Sequence, residues 1–329
     1  MTEVPVLTRQ RPREPVFPDP SRRARWEQAL TRHTIRRLMP HLELNALGIA
    51  ALRTIVDAPN ALARTVPGTG TELVATDTVR AEWVQAPGVR RGGPTILYVH
   101  GSAFVLLSAK SHRPLVSRLS DRTGLPAFSV DYRLAPEHPF PAASDDVLAA
   151  YEYVLEQGVD PREMVLAGDS AGAHLCVDLA SRLARANRPA PAALVVFSPL
   201  VDLTLELAAA EEVTRPDPLI AAADCRRLID LYIGESDRSD QRITLTLDGV
   251  TDFPPTLIQA GANEMLSADA RHLHGQITAI GGDSSLQIWP GQAHVFQASA
   301  ALPESAAALR SAAEFICAAI ATRATHDEE

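Results

Sequence analysis

Met164-Val165-Leu166-Ala167-Gly168-Asp169-Ser170-Ala171-Gly172-Ala173-His174-Leu175 is the stretch whose reading decides the fold class. Its first four residues form a short apolar run suited to a strand buried on both faces, and a helical pattern follows from 171 to about 186. Between them lies Gly168-x-Ser170-x-Gly172, a nucleophile-elbow pattern. The turn needs small residues two before and two after the serine, because its strained backbone packs closely on its neighbours. A helix that begins directly after the serine aims free N–H groups at any negative charge that develops there. G-x-S-x-G by itself is common; the strand-turn-helix context gives it weight.

Working outward, the same alternation recurs on both sides. Thr95–Val99 reads as a buried strand, helix 112–123 precedes strand 126–131, and helix 143–157 precedes strand 164–168. After the elbow helix come strand 193–198, strand 255–260, helix 267–280, strand 285–289 and helix 303–322. Thr78–Val84 alternates like a half-exposed strand. This is the pattern of a mainly parallel sheet wrapped by helices, an α/β fold. Two segments break the rhythm. Residues 21–57 carry helical spacing (Trp26, Leu30, Ile35, Leu38, Leu47, Ile49, Leu52, Ile55), punctuated by Pro40, Pro59 and Pro67. Residues 201–248 contain a loop ending at Pro216-Asp217-Pro218 and a helix over about 219–233. The expected division is 1–57 as N-terminal cap helices, 58–200 and 249–329 as two parts of one core, and 201–248 as a cap insertion at the strand C-termini, where such sheets place their sites.

His100-Gly101-Ser102-Ala103-Phe104 directly follows the strand at 95–99. Such a turn presents backbone N–H groups to an oxyanion when its residues are small, and His100 reads as a structural hydrogen-bonder rather than a base. A carboxylate and a histidine should follow the serine in that chain order. Glu264, in Gly261-Ala262-Asn263-Glu264-Met265-Leu266, follows strand 255–260; His294, in Gly291-Gln292-Ala293-His294, follows strand 285–289. Glu264 would hold the His294 tautomer and stabilise the imidazolium. His174 reads as a packed residue, and His272 and His274 point to different helix faces, so no metal site is expected. No cofactor is expected.

The chain has 329 residues, 46% hydrophobic and 22% charged, with net charge −9. A disordered or fibrous chain is excluded. The excess of 40 acidic over 31 basic residues gives no footprint for nucleic acid or anionic lipid. Cys176, Cys225 and Cys317 are too few and too widely spaced for a disulfide framework, which suits a reducing compartment. The first residues show no secretory pattern, and 18 consecutive apolar residues occur nowhere, so a cytoplasmic protein without a membrane partner is expected. Nothing in the sequence supports a homo-oligomer, although none is excluded. The single lysine, Lys110, belongs with composition.

The ordered set His100–Phe104, Asp131-Tyr132-Arg133-Leu134-Ala135-Pro136-Glu137-His138-Pro139-Phe140-Pro141-Ala142, Gly168–Gly172, Glu264-x-Leu266 and His294-x-Phe296 resembles the hormone-sensitive-lipase-like (family IV) bacterial carboxylesterases, over roughly residues 70–320. The spacings of 94 residues from Ser170 to Glu264 and 30 from there to His294 agree with it. The resemblance implies an α/β-hydrolase fold with a helical cap, Ser170 as nucleophile, His294 as base and then acid, and Glu264 as the orienting carboxylate. It implies an oxyanion hole from the N–H groups of Ser102, Ala103 and Ala171, supported by His100, Gly101, Gly168, Asp169 and Gly172. Most relatives carry Asp at the acid position; a subgroup uses Glu with an Asp five positions on, which keeps Asp269 as a lower-ranked acid. Arg133 and Glu137 belong to a structural brace. Ser102 departs from the family, which usually has glycine there. The implied function is a serine hydrolase of short-acyl esters, acetyl esters or lactones acting through an acyl-enzyme. An acyltransferase or a cyclase/dehydratase of secondary metabolism with the same triad, and a non-catalytic small-molecule receptor, are the alternatives.

Overall fold

The computed structural model describes residue 17, residues 19–61 and residues 63–326. Three helices lead, α1 (Arg22–His33), α2 (Ile35–Leu38) and α3 (Ala46–Ala61). The core follows as β1 (Gly70–Ala75), β2 (Arg80–Gln85), β3 (Thr95–Val99), α4 (Ala109–Thr123), β4 (Ala127–Val130), α5 (Ala142–Glu156), β5 (Met164–Asp169), α6 (Ala171–Arg185) and β6 (Ala193–Phe197). Then come α7 (Glu206–Thr214), α8 (Ala222–Ile233), β7 (Thr256–Gly261), α9 (Ser267–Ala279), β8 (Ser284–Trp289) and α10 (Pro303–His326). The eight strands form one sheet in the order β1-β2-β4-β3-β5-β6-β7-β8. β2 runs antiparallel to both its neighbours, and the remaining six, in the order β4-β3-β5-β6-β7-β8, pair in parallel.

The period of two in the strand sequences sorts side chains between two cores. Ile96, Tyr98, Val165 and Val195 meet Leu115, Val116 and Leu119 of α4 and Leu309, Ala312 and Ile316 of α10. Leu97, Val99, Leu166 and Val196 face the other way, toward Val147 and Ala150 of α5, Leu175 and Leu179 of α6, and Leu273 and Ile277 of α9. Local signals set the helix ends. Ser108 and Ser111 close a reciprocal capping box at the start of α4, and Gly124, at φ 71°, ends it.

Several expectations change. β2 is not half-exposed: Glu82 and Val84 lie under α4, whose Arg113 pairs with Glu82, and Ala81 and Trp83 are buried in the core on the other face of the sheet. β1 and α7 are elements that no local pattern in the sequence marks. α8 begins at Ala222 rather than 219, because the Asp217 carboxylate accepts from the amides of Leu219 and Ile220 and holds them in a turn. α3 continues through Pro59 to Ala61, so the boundary at 57 falls inside a helix. α10 contains one stretch, Pro303–Thr322, that is long and apolar enough to cross a bilayer by length and composition. Its Leu309, Ala312 and Ile316 are buried against the sheet, as in a core helix.

The two segments that break the α/β rhythm meet each other. Arg36 of α2 donates to the carbonyls of Asp217 and Ile220 and pairs with Glu212 at 2.6 Å, and Arg227 of α8 donates to the Met39 and Leu42 carbonyls. Arg53 of α3 reaches the core. Its guanidinium donates to the Val105 carbonyl at 2.9 Å and the Ala135 carbonyl at 2.8 Å, and pairs with Glu137. Glu137 is more than half exposed, so that pair contributes little. The two carbonyls belong to buried residues and would be left unsatisfied. Arg53→Ala should therefore lower unfolding free energy by about 2 kcal/mol in a urea titration; an unchanged midpoint would show that water replaces the guanidinium.

Candidate active site

The elbow forms where β5 meets α6. Ser170 adopts φ 51°, ψ −119°, a conformation that costs an L-residue about 1–3 kcal/mol and persists only where the surroundings impose it. They do so here. The Ser170 amide donates to the Phe197 carbonyl at 2.9 Å, and the Ser170 carbonyl accepts from His174 and Leu200. A Cβ on Gly172 would strike the Val99 and His100 carbonyls, and one on Gly101 would strike Asp169. These two glycines let the loop after β3 lie directly against the elbow.

From that loop, Ser102, Ala103 and Phe104 all take positive φ (88°, 55° and 62°). Its shape is held from behind. The His100 ring stacks on Tyr132 at 4.2 Å between centroids, and the Tyr132 hydroxyl donates to the His100 carbonyl at 2.8 Å. Burial, then the neighbouring His112, pulls the His100 pKa down to about 4, so its ring is neutral near pH 7. Arg133 chelates Asp146 and Glu137 pairs with Arg53, so neither faces the pocket.

His294 stands after β8, with Nε2 3.1 Å from Ser170 Oγ and Nδ1 2.6 Å from Glu264 Oε2. Glu264 is fully buried. Its other oxygen, Oε1, accepts from the Gly261 amide at 2.5 Å and the Ser198 hydroxyl at 2.8 Å. Burial disfavours the imidazolium, yet the hydrogen bond and charge of Glu264, with Asp217 and Asp169 beyond, outweigh it and hold the His294 pKa above its ordinary 6.5. Asp269 lies elsewhere. Its Oδ1 accepts from the amides of Val201 and Asp202, and burial raises its pKa to about 7.

Three residues of the site escaped the sequence reading. Ser198, at the end of β6, bridges Glu264 and the Val295 amide. Asp217 accepts from the Met265 amide at 3.0 Å, which ties the insertion to the loop bearing Glu264, and burial raises its pKa. His112 of α4 lies 3.3 Å from Asp169, whose other oxygen accepts from Tyr98. Burial opposes charge on both partners, but the mutual attraction prevails: the His112 pKa is raised and that of Asp169 lowered. The only signal for Ser198 was its place at a strand C-terminus; for Asp217, its two flanking prolines.

Ser102, Ser170 and His294 open onto a cavity of about 320 Å³ lined by Ile35, Met39 and Leu52 from the N-terminal helices, Leu219, Ile220 and Leu228 from the insertion, and Met265. It is mostly apolar, which suits a small ligand with few polar groups. Among the described residues no cluster of three or more His, Cys, Asp or Glu side chains is placed to hold a metal.

A buried serine on a strand-to-helix turn, hydrogen-bonded to a histidine that is itself bonded to a carboxylate, defines the class of α/β hydrolases. The α/β-hydrolase-fold family profile matches residues 96–298. The acetyl-hydrolase of Streptomyces hygroscopicus is 38% identical over 246 residues, covering 74% of this chain and 82% of its own. The carboxylesterase/phospholipase LipF of Mycobacterium tuberculosis is 36% identical over 266 residues, 76% of this chain and 70% of its own. An esterase crystal structure from the bacterial hormone-sensitive lipase family superposes with a TM-score of 0.81 at 31% identity, over 89% of this chain and 98% of that one. The chain belongs to this hormone-sensitive-lipase family of ester-hydrolysing enzymes on the α/β-hydrolase fold. That membership displaces the receptor alternative.

Ser102 occupies a left-handed position that glycine adopts without strain. Ser102→Gly should raise stability by up to about 1 kcal/mol in chemical denaturation. A drop would show that the hydroxyl is held by bonds that offset its backbone strain.

Proposed function

We propose that the protein is a serine carboxylesterase for short acyl or acetyl esters, or lactones, acting through a Ser170-His294-Glu264 triad and an acyl-enzyme. The hydrogen-bond chain from Ser170 Oγ through His294 to Glu264, at 3.1 and 2.6 Å, is the observation that carries this reading. His294 Nε2 takes the hydroxyl proton as Oγ attacks the ester carbonyl, then returns it to the departing alkoxide. Water, deprotonated by the same nitrogen, attacks the acyl-enzyme and releases the acid. Backbone N–H groups of Ser102, Ala103 and Ala171 receive the developing oxyanion, each donor being worth roughly 3 kcal/mol in such sites. The elements α1–α3 and residues 201–248 act together as a cap, a reading supported by the Arg36 and Arg227 contacts and by the pocket walls both supply. The small cavity and the name of the acetyl-hydrolase relative favour short acyl groups over long lipid chains.

Ser170→Ala should cut kcat/KM for p-nitrophenyl acetate and butyrate by at least about 10⁴-fold with the fold intact. Equal rates would overturn the assignment. Glu264→Gln should cost two to four orders of magnitude, whereas Asp269→Asn should stay within a few-fold of the parent because its carboxylate serves the backbone of 201–202. The reverse ranking would make Asp269 the acid.

The base works only when His294 is neutral. Because its pKa is raised, activity is lost as pH falls through a value above 6.5. The acid limb of kcat/KM should lie there in the parent and move down in Glu264→Gln. A limb that stays put would mean another group controls it.

A further inference from the structure

α1 faces the wrong way round for a helix of a soluble core. Its inward positions at 24, 28 and 31 include one buried alanine and polar Gln28, which donates to the Gly291 carbonyl at 2.5 Å and accepts from Asn263 at 3.0 Å. Those two partners sit in the loops that carry His294 and Glu264, so α1 packs against both loops of the site, and the cavity wall begins just after it, at Ile35 of α2. Its outward positions, one helical turn apart, present Trp26, 63% exposed, and Leu30, 48% exposed. Leu38 of α2 is also nearly half exposed, and Ile35 is both partly exposed and part of the pocket wall. The exposed apolar surface therefore runs to the substrate cavity.

Local charge opposes the charge of the whole. Residues 1–41 hold nine arginines against four acidic residues in a chain of net −9. Arg22, Arg25, Arg32 and Arg37 are exposed on the same two helices, whereas Arg36 is engaged inward. Exposed Trp and Leu flanked by arginines are what an in-plane helix needs to seat in an anionic lipid interface: the apolar side chains enter the headgroup boundary and the cations meet the lipid phosphates. The acidic remainder of the molecule would be repelled, which fixes orientation.

We infer that α1 and α2 form a docking surface for anionic phospholipid bilayers, which presents the mouth of the ester-binding pocket to the membrane. Tryptophan itself reports the event, since Trp83 and Trp289 are buried and Trp26 alone of the three is exposed.

The full chain should be titrated with phosphatidylglycerol vesicles and, separately, with phosphatidylcholine vesicles, following tryptophan emission and co-sedimentation. The expected result is a blue shift of several nanometres and pelleting with phosphatidylglycerol only, both reversed by high salt. Arg25→Gln/Arg32→Gln should weaken vesicle binding about thirtyfold, and Leu30→Asp should abolish it, while hydrolysis of dissolved p-nitrophenyl acetate stays at the parent rate. That unchanged rate separates loss of docking from loss of fold and is independent of the triad assignment. Absence of binding, equal binding to phosphatidylcholine, or a blue shift that grows with protein concentration without lipid (docking of a second copy) would each overturn the inference.

Discussion

Ser170 is held in a conformation that an L-residue adopts only under compulsion, and the close approach of two backbones supplies it. Gly172 and Gly101 have no side chain to keep the loop after β3 away from the elbow. The carbonyls of Val99 and His100 therefore sit against the first turn of α6, and the serine hydroxyl and the loop after β3 face one cavity. Strain of about 1–3 kcal/mol at the serine is small beside the burial of β3, β5 and β6 that imposes it. Move either backbone outward by the radius of a methyl group and the geometry on which the histidine depends is lost.

A second layer of bonds then places the histidine and the carboxylate. Ser198, itself at positive φ (47°), hydrogen-bonds Glu264 with its hydroxyl while receiving the Val295 amide next to His294. Asp217 does the corresponding work from the insertion, gripping the Met265 amide just after Glu264, and its own carbonyl is held by Arg36 of α2. The N-terminal helices are thus connected through residues 201–248 to the loop that carries Glu264.

Residues that belong to a local pattern were legible in the sequence. Ser170 sits in a strand-turn-helix signature, Glu264 and His294 follow recognisable strands, and the Tyr132 segment marks itself by its length. Ser198, Asp217 and His112 were not legible, because their partners lie 66, 48 and 57 residues away along the chain. Nothing in a one-dimensional pattern says which loops the strand order brings side by side. β2 failed for the same kind of reason: its alternation promised one wet face, and the packing that covers both faces, α4 on one and the larger core on the other, is supplied by tertiary contacts.

Sequence alone determined the alternation of buried strands and helices, the small residues that permit the elbow, and the order serine, carboxylate, histidine, because each is written in local spacing and residue size. The tertiary structure decided which carboxylate reaches His294, since Glu264 and Asp269 are only five residues apart and only the path of the chain after β7 aims one at the imidazole and the other at the backbone of Val201 and Asp202. It also decided which face of α1 meets the protein. Helical periodicity places Trp26 and Leu30 on one stripe but cannot say whether that stripe points inward; the bonds of Gln28 to the loops of the site turn it toward solvent.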